Sequence, residues 1–269
     1  MKDEQGRGGA GEIAPVPWFG TETVEAALVV CRRLEGDRTD AFLEAALESA
    51  GPCTRFGFGC ALEELDGSGV GRRRGAAPAA PRAARLLPAG SAVLEAWQSH
   101  WSNGYRTFKW KVGVEEGKDE RVLLRKLLAA LPAEARLRLD ANGAFSAAGC
   151  AAWMEALAGE PRVEFLEQPM PPGYERKMAS MAEASGVRVA LDESVATREQ
   201  AERCGAEWPG IFVLKPALFG APRELRAWRR GREDRIVYST AFEIGPGGAA
   251  VRALAAEAPS RFAPGFPVA

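Results

Sequence analysis

Histidine is almost missing from these 269 residues: His100 is the only one. A zinc or iron centre built on imidazole ligands is therefore poorly supported. Cysteine offers no substitute. Cys31, Cys53, Cys60, Cys150 and Cys204 are odd in number, widely spread and include no C-x-x-C pair. That pattern points to reduced thiols packed as small hydrophobes in a cytosolic-type compartment. An excess of either charge is missing too, with 35 Lys and Arg against 36 Asp and Glu for a net charge of −1. This removes the electrostatic case for nucleic acid or an acidic membrane surface as partner. Neither a signal-peptide pattern nor an apolar run long enough to span a bilayer is visible. The expectation is a cytoplasmic protein, monomeric or homo-oligomeric, that works on a small molecule. Apolar side chain is plentiful at 46% of residues, enough for a substantial core.

Residues 1–70 read differently from the rest. "GEIAPVPWFGTET" is a strand and loop punctuated by Pro and Gly, and Thr21 or Thr23 can N-cap the helix "VEAALVVCRRL". Helical stretches follow around 39–50 and 54–66. "GSGVGRRRGAAPAAPRAAR" (67–85) is aperiodic and reads as a solvated connection, because no aromatics interleave its arginines. From residue 84 a rhythm of strand then helix repeats every 20–30 residues: "ARLLPAG", "YRTFKWKVG", "LRLDANG", "VEFLEQP", "VRVALDES", "GIFVLKPA" and "RIVYSTAFE" each precede a helical stretch. Apolar positions 123, 124, 127, 128 and 131 lie on one helical face. Ser146 is an N-cap, and "TREQ" at Thr197 has capping-box form. "SRFAPGF" is a candidate short eighth strand. The series predicts a closed (β/α) barrel rather than a doubly wound sheet, since no Gly-rich dinucleotide fingerprint follows an early strand. The lone His100, at a helix end, reads as structural.

Charged residues recur at the strand ends: Lys109 and Lys111, then Asp140, Glu167, Asp192 and Lys215. From Lys111 onward the separations are 29, 27, 25 and 23 residues, one βα unit each time. Barrel active sites are built on this face. Alternation places Lys109 and Lys111 together with Trp110 opposite, and turns Leu139, Leu166, Leu191 and Leu214 toward the helices. Any one of these charges taken alone is more often a loop anchor or an ion-pair member. Five in the order Lys, Asp, Glu, Asp, Lys make a constellation. Three converging carboxylates repel one another unless a cation joins them. A hard, oxygen-preferring ion suits them, with Mg²⁺ favoured and Mn²⁺ the other candidate. A lysine beside a metal and a second ammonium is expected to have a depressed pKa and to serve as a base. The set suits removal of a proton α to a carboxylate, with a metal stabilising the enediolate.

The K-x-K, D-x-N, E-Q-P, D-E-S and K-P elements resemble the enolase superfamily. "GEIAPVPWFGTET", "LLPAG", "GYRTFKWKVGV", "LRLDANG", "EFLEQPMPP", "ALDESVAT" and "GIFVLKPA" are similar to its o-succinylbenzoate synthase family of the cyanobacterial type, from about residue 10 to about residue 258. The resemblance implies an α/β fold, a modified TIM (β/α)7β-type barrel (81–269) with a smaller α+β capping domain (1–80). It implies a lyase that dehydrates 2-succinyl-6-hydroxy-2,4-cyclohexadiene-1-carboxylate to 2-succinylbenzoate, on the route to menaquinone or phylloquinone. Lys111 matches the proton-abstracting lysine, Asp140, Glu167 and Asp192 the Mg²⁺ ligands, and Lys215 the lysine that stabilises the intermediate as a cation. Lys109 assists electrostatically. Asn142 and Glu193 would orient ligands, and the loop from Tyr238 to Glu243, with Ser239, would line the substrate pocket. Family chains begin with further strands and a mobile loop and continue past strand eight, so this chain is expected to be shortened at both ends. Two other outcomes stay open: an N-acylamino-acid racemase or dipeptide epimerase, which needs lysines on both faces, and a non-catalytic fragment.

Overall fold

The computed structural model describes residues 1–36, 40–67, 82–115 and 120–267. Residues 68–81 of the aperiodic stretch read as a connection lie outside them, and its last residue, Arg85, opens the first strand. The helices are α1 (Val24–Arg33), α2 (Asp40–Glu48), α3 (Pro52–Leu65), α4 (Val93–Ser102), α5 (Glu120–Ala130), α6 (Ala147–Leu157), α7 (Glu175–Ser185), α8 (Arg198–Gly205), α9 (Pro216–Phe219), α10 (Pro222–Arg229) and α11 (Pro246–Glu257). The strands are β1 (Arg85–Leu87), β2 (Thr107–Lys111), β3 (Arg136–Asp140), β4 (Val163–Glu167), β5 (Val189–Leu191), β6 (Ile211–Leu214) and β7 (Ile236–Tyr238). They form one sheet in the order β1-β2-β3-β4-β5-β6-β7, and the registered pairs from β1 to β6 are all parallel. Each strand lies beside its successor without the reversal of a doubly wound sheet, which is the order of a βα-barrel series.

The expected caps are present. Thr23 Oγ1 accepts from the Ala26 N–H at 3.2 Å, and Ser146 Oγ from the Gly149 N–H at 3.2 Å. At α8 the box is reciprocal: the Thr197 N–H donates to Gln200 Oε1 at 2.9 Å and the Gln200 N–H to Thr197 Oγ1 at 3.4 Å. The eighth strand does not form. "SRFAPGF" contributes a single bridge residue at Gly265, and Pro264 accepts a 2.8 Å bond from the Ala84 N–H. Prolines at 264 and 267 remove the donors a longer ladder would need.

Two compact units divide the chain. The first comprises Met1–Ala80, Ala196–Glu202 and Leu214–Arg261. Its core includes Val16, Cys53, Ala196 and Leu218, with Ile13, Phe19 and Ala241 packed on them. Two glutamates of the "GEIAPVPWFGTET" segment cap distant helices. Glu12 accepts from the N–H groups of Ile244, Gly245 and Gly247 at 2.8–3.1 Å, at the start of α11. Glu22 accepts from those of Cys53 and Thr54 at 3.2 and 2.6 Å, at the start of α3. A Cβ on Gly11 would overlap the Gly57 carbonyl, so this segment can lie on α3 only because residue 11 has no side chain. Among the described residues of 1–67 there is no strand, only the antiparallel bridge Lys2–Gly8.

The second unit comprises Pro81–Val195, Arg203–Val213 and Phe262–Ala269. Alternation along its strands sorts the layers. Trp110, Leu137, Leu139, Leu166 and Leu191 are fully buried between sheet and helices. Trp110 meets Trp153 of α6 edge-on at 6.4 Å, and Phe145 stacks on Trp153 at 5.6 Å. On α5, Leu124, Leu127 and Leu128 are buried as the spacing required. His100, in the last turn of α4, accepts a 3.4 Å bond from Arg85 Nε and lies edge-on to Tyr105 at 6.0 Å, a structural setting.

Candidate active site

The register lines up the strand ends. Lys111 pairs with Asp140, and Asp140 with Glu167. One layer below on the same face run Lys109, Arg138 and Phe165. β5 meets β4 at Glu167–Ala190, so Asp192 lies two residues past that row, just beyond the strand end. All three carboxylates are buried: Asp140 at 1% exposure, Glu167 at 2% and Asp192 at 5%.

Lys109 reaches up from its layer and joins two of them. Its Nζ lies 2.8 Å from Asp140 Oδ2 and 2.8 Å from Glu167 Oε1. Burial opposes the charge on Lys109, yet the Glu167, Asp140 and Asp192 carboxylates outweigh it and hold the ammonium above the ordinary lysine range. The depressed lysine expected of this site is therefore not Lys109, because its close neighbours are anions. Burial, and then the Asp140 charge, push the Glu167 carboxyl up to about 8 against the pull of Lys109.

Lys111 is at the exposed end of β2 and makes a different connection. Its Nζ donates to Asn142 Oδ1 at 2.8 Å, and Asn142 Nδ2 donates to Glu193 Oε1 at 3.0 Å. The Asn142 N–H donates to Asp140 Oδ1 at 3.0 Å. Asn142 thus ties the lysine to Asp140 through its own backbone N–H. Burial and the neighbouring Asp192 raise the Glu193 carboxyl, while its bond from Asn142 lowers it.

Two residues escaped the sequence reading. Gln168, fully buried, accepts from the Asp192 and Ser194 N–H groups at 2.9 and 3.2 Å, and its Nε2 donates to Ser194 Oγ and Met170 O. It fixes the backbone that carries Asp192. Asn142 and Gln168 are also the only non-glycine residues with positive φ among those described, at 44° and 34°. Each falls within two residues of a strand-end carboxylate, where strained backbone commonly marks function. The second is Arg138, 1% exposed and on the same face as Asp140. It pairs with Glu164 at 2.6 Å, donates to Ala263 O at 2.7 Å and lies over the Phe165 ring at 4.9 Å. A bulge between Leu137 and Arg138 sets Arg138 against Phe165 and leaves Glu164 as the extra residue.

Lys109, Lys111, Asp140, Asn142, Glu167, Asp192 and Glu193 all belong to the second unit; Lys215 and Ser239 belong to the first. There Lys215 is 8% exposed, its Nζ 4.9 Å from the centre of the Phe19 ring. Ser239 follows β7, its N–H donating to Leu214 O at 2.8 Å.

Among the described residues no three carboxylate, imidazole or thiolate groups are closed around one point. The donor set nevertheless fits a hard divalent cation. Three buried carboxylates gather about Lys109, and burial first, then the neighbouring Asp140 charge, pushes Glu167 toward its protonated form. A cation of charge two balances the cluster, and all three donors are carboxylate oxygens of the kind Mg²⁺ prefers.

The "Enolase C-terminal domain-like" family model matches residues 92–224. The o-succinylbenzoate synthase of Thermosynechococcus vestitus is 42% identical over 248 residues, 90% of this chain and 75% of that protein. The o-succinylbenzoate synthase of Edwardsiella ictaluri is 34% identical over 83% of this chain and 66% of its own length. Among solved structures, o-succinylbenzoate synthase from Thermosynechococcus elongatus BP-1, complexed with Mg in the active site, superposes with a TM-score of 0.89 at 39% identity, over 100% of this chain and 83% of that one. Fold and site together define a member of the enolase superfamily. Within it, the chain belongs to the o-succinylbenzoate synthase family.

Proposed function

We propose that this chain is a Mg²⁺-dependent carbon–oxygen lyase that converts 2-succinyl-6-hydroxy-2,4-cyclohexadiene-1-carboxylate to 2-succinylbenzoate with loss of water, in menaquinone or phylloquinone biosynthesis. One observation carries it: Lys111 stands exposed at the end of β2, in register with buried Asp140 and held by Asn142, in a chain 42% identical to an o-succinylbenzoate synthase. Asp140, Glu167 and Asp192 would hold the ion, Mn²⁺ being its nearest substitute. The ion they would hold would supply positive charge to stabilise an enediolate and so make the C–H beside the substrate carboxylate more acidic.

The chain's own groups do the rest. Lys111 Nζ takes the α-proton, and Asn142 keeps that amine aimed. The protonated lysine then returns the proton to the departing hydroxyl on the same face. The C–O bond breaks, the ring becomes aromatic, and the atoms balance as one water. Lys109 joins Asp140 and Glu167 so that both carboxylates stay in place. Lys215 is the stabilising cation by family resemblance, Glu193 orients Asn142, and Ser239 lines the pocket. We assign residues 1–80 to the capping domain and 81–269 to the barrel.

Among the described residues no helix is long and apolar enough to cross a membrane. The proposal carries with it a small carboxylate substrate, a cytoplasmic setting, a monomer or homo-oligomer, and no nucleic-acid or membrane partner. The test pairs Mg²⁺-dependent dehydration of the cyclohexadiene with deuterium exchange into N-succinyl amino acids. Dehydration is expected to dominate. Exchange without dehydration would assign the chain to the racemases instead.

A further inference from the structure

Lys215 is nearly buried in the first unit, and Phe19 beside it has no part in the dehydration chemistry. Its ammonium lies 4.9 Å from the centre of the Phe19 ring, inside the distance at which a cation is held by an aromatic face. Phe19 is not a mobile ring. Its N–H donates to Val16 O at 2.9 Å, its carbonyl accepts from Gln200 Nε2 at 3.0 Å, and its side chain packs on the Val16, Cys53, Ala196 and Leu218 core. Gln200 in turn is locked by the Thr197 capping box. In the same unit Glu243 is 5% exposed. One of its carboxylate oxygens accepts from the Ala241 N–H at 2.9 Å, while Oε1 is buried without a hydrogen-bond partner. The Lys215 charge acts on this carboxylate across the same unit.

We propose that Phe19 is a positioning residue for Lys215, its ring fixing the ammonium from one side. The proposal rests on Lys215 being the stabilising cation of the dehydration. A long, four-methylene side chain has many rotamers, and a cation useful only in one position gains from a rigid surface that selects it. A fixed aromatic face does this without adding a further anion beside the ammonium.

The experiment compares Phe19→Leu, Phe19→Tyr, Lys215→Ala and the double variant Phe19→Leu/Lys215→Ala for kcat and KM of dehydration, well below each variant's Tm. Phe19→Leu should lower kcat by about 2- to 30-fold with KM little changed, the range expected for losing one cation–π contact. Phe19→Tyr keeps the ring and should restore kcat to within about twofold. In the Lys215→Ala background the leucine should add no further loss. An equal loss in both backgrounds, a change confined to KM, or a tyrosine variant as impaired as leucine would overturn the positioning role. If Lys215→Ala itself matches wild type, what fails is the assignment of Lys215 in the proposed function, and the positioning role goes with it.

Discussion

Glu167 is a buried carboxyl whose proton is held by the site itself, and this gives the protein a pH dependence opposite to that of most carboxylates. Its pKa rises from the ordinary 4.5 to about 8, through burial first and the Asp140 charge next. The folded state then binds more protons than the unfolded state across that window, so stability is largest near the acid end and falls as pH rises. At 1.36 kcal/mol per unit, the loss between about pH 5 and about pH 8 is on the order of 4 kcal/mol. Glu193 and Glu243 are also raised by burial and add in the same direction. His100, lowered by burial and Arg85, opposes them weakly. Glu167→Gln removes the titrating group while keeping an acceptor for Lys109, so wild type minus variant isolates the effect. Urea unfolding of EDTA-treated protein at both pH values measures it. The difference should shift by several kcal/mol in favour of the variant at the alkaline end, and millimolar Mg²⁺ should recover most of it, since the ion and the proton compete for one carboxylate. A pH-independent difference, or a wild type that gains stability relative to the variant with rising pH, refutes the reasoning.

Three further outcomes are expected. Gln168→Leu strands the buried Asp192 and Ser194 N–H groups, costing about 2–4 kcal/mol in unfolding experiments and roughly 10- to 100-fold in Mg²⁺ affinity by calorimetry. Arg138→Met leaves Glu164 without its buried partner and should cost about 3–5 kcal/mol, much of it recovered in Arg138→Met/Glu164→Leu if the loss comes from the orphaned charge. Lys109→Met takes the shared ammonium from Asp140 and Glu167, so the EDTA-treated variant should melt well below wild type and show the larger upward shift in Tm when Mg²⁺ is added.

The strand ends were legible because a parallel βα series repeats its geometry: a charge every 23–29 residues falls on the same face. Thr23, Ser146 and Thr197 could be read for the same local reason, since a cap and its partner lie three residues apart. Gln168 could not be read this way. Beside Glu167 it looks like a bystander, and its partners Asp192 and Ser194 meet it only in the folded sheet. The bulge that turns Glu164 toward Arg138 leaves no mark in the hydrophobic alternation. Glu12 caps a helix 232 residues away, a distance at which sequence spacing carries no information. The eighth strand failed for a readable reason, prolines at the positions that would have to donate.

The most direct test is the dehydration assay on wild type and Lys111→Ala, each with and without Mg²⁺. Wild type should turn over only with the ion, and Lys111→Ala should lose roughly 100- to 10,000-fold in kcat, the contribution of a positioned general base, while keeping the Mg²⁺-induced rise in Tm. A folded, Mg²⁺-loaded wild type that does not dehydrate the cyclohexadiene, or an alanine variant as fast as wild type, would contradict the account.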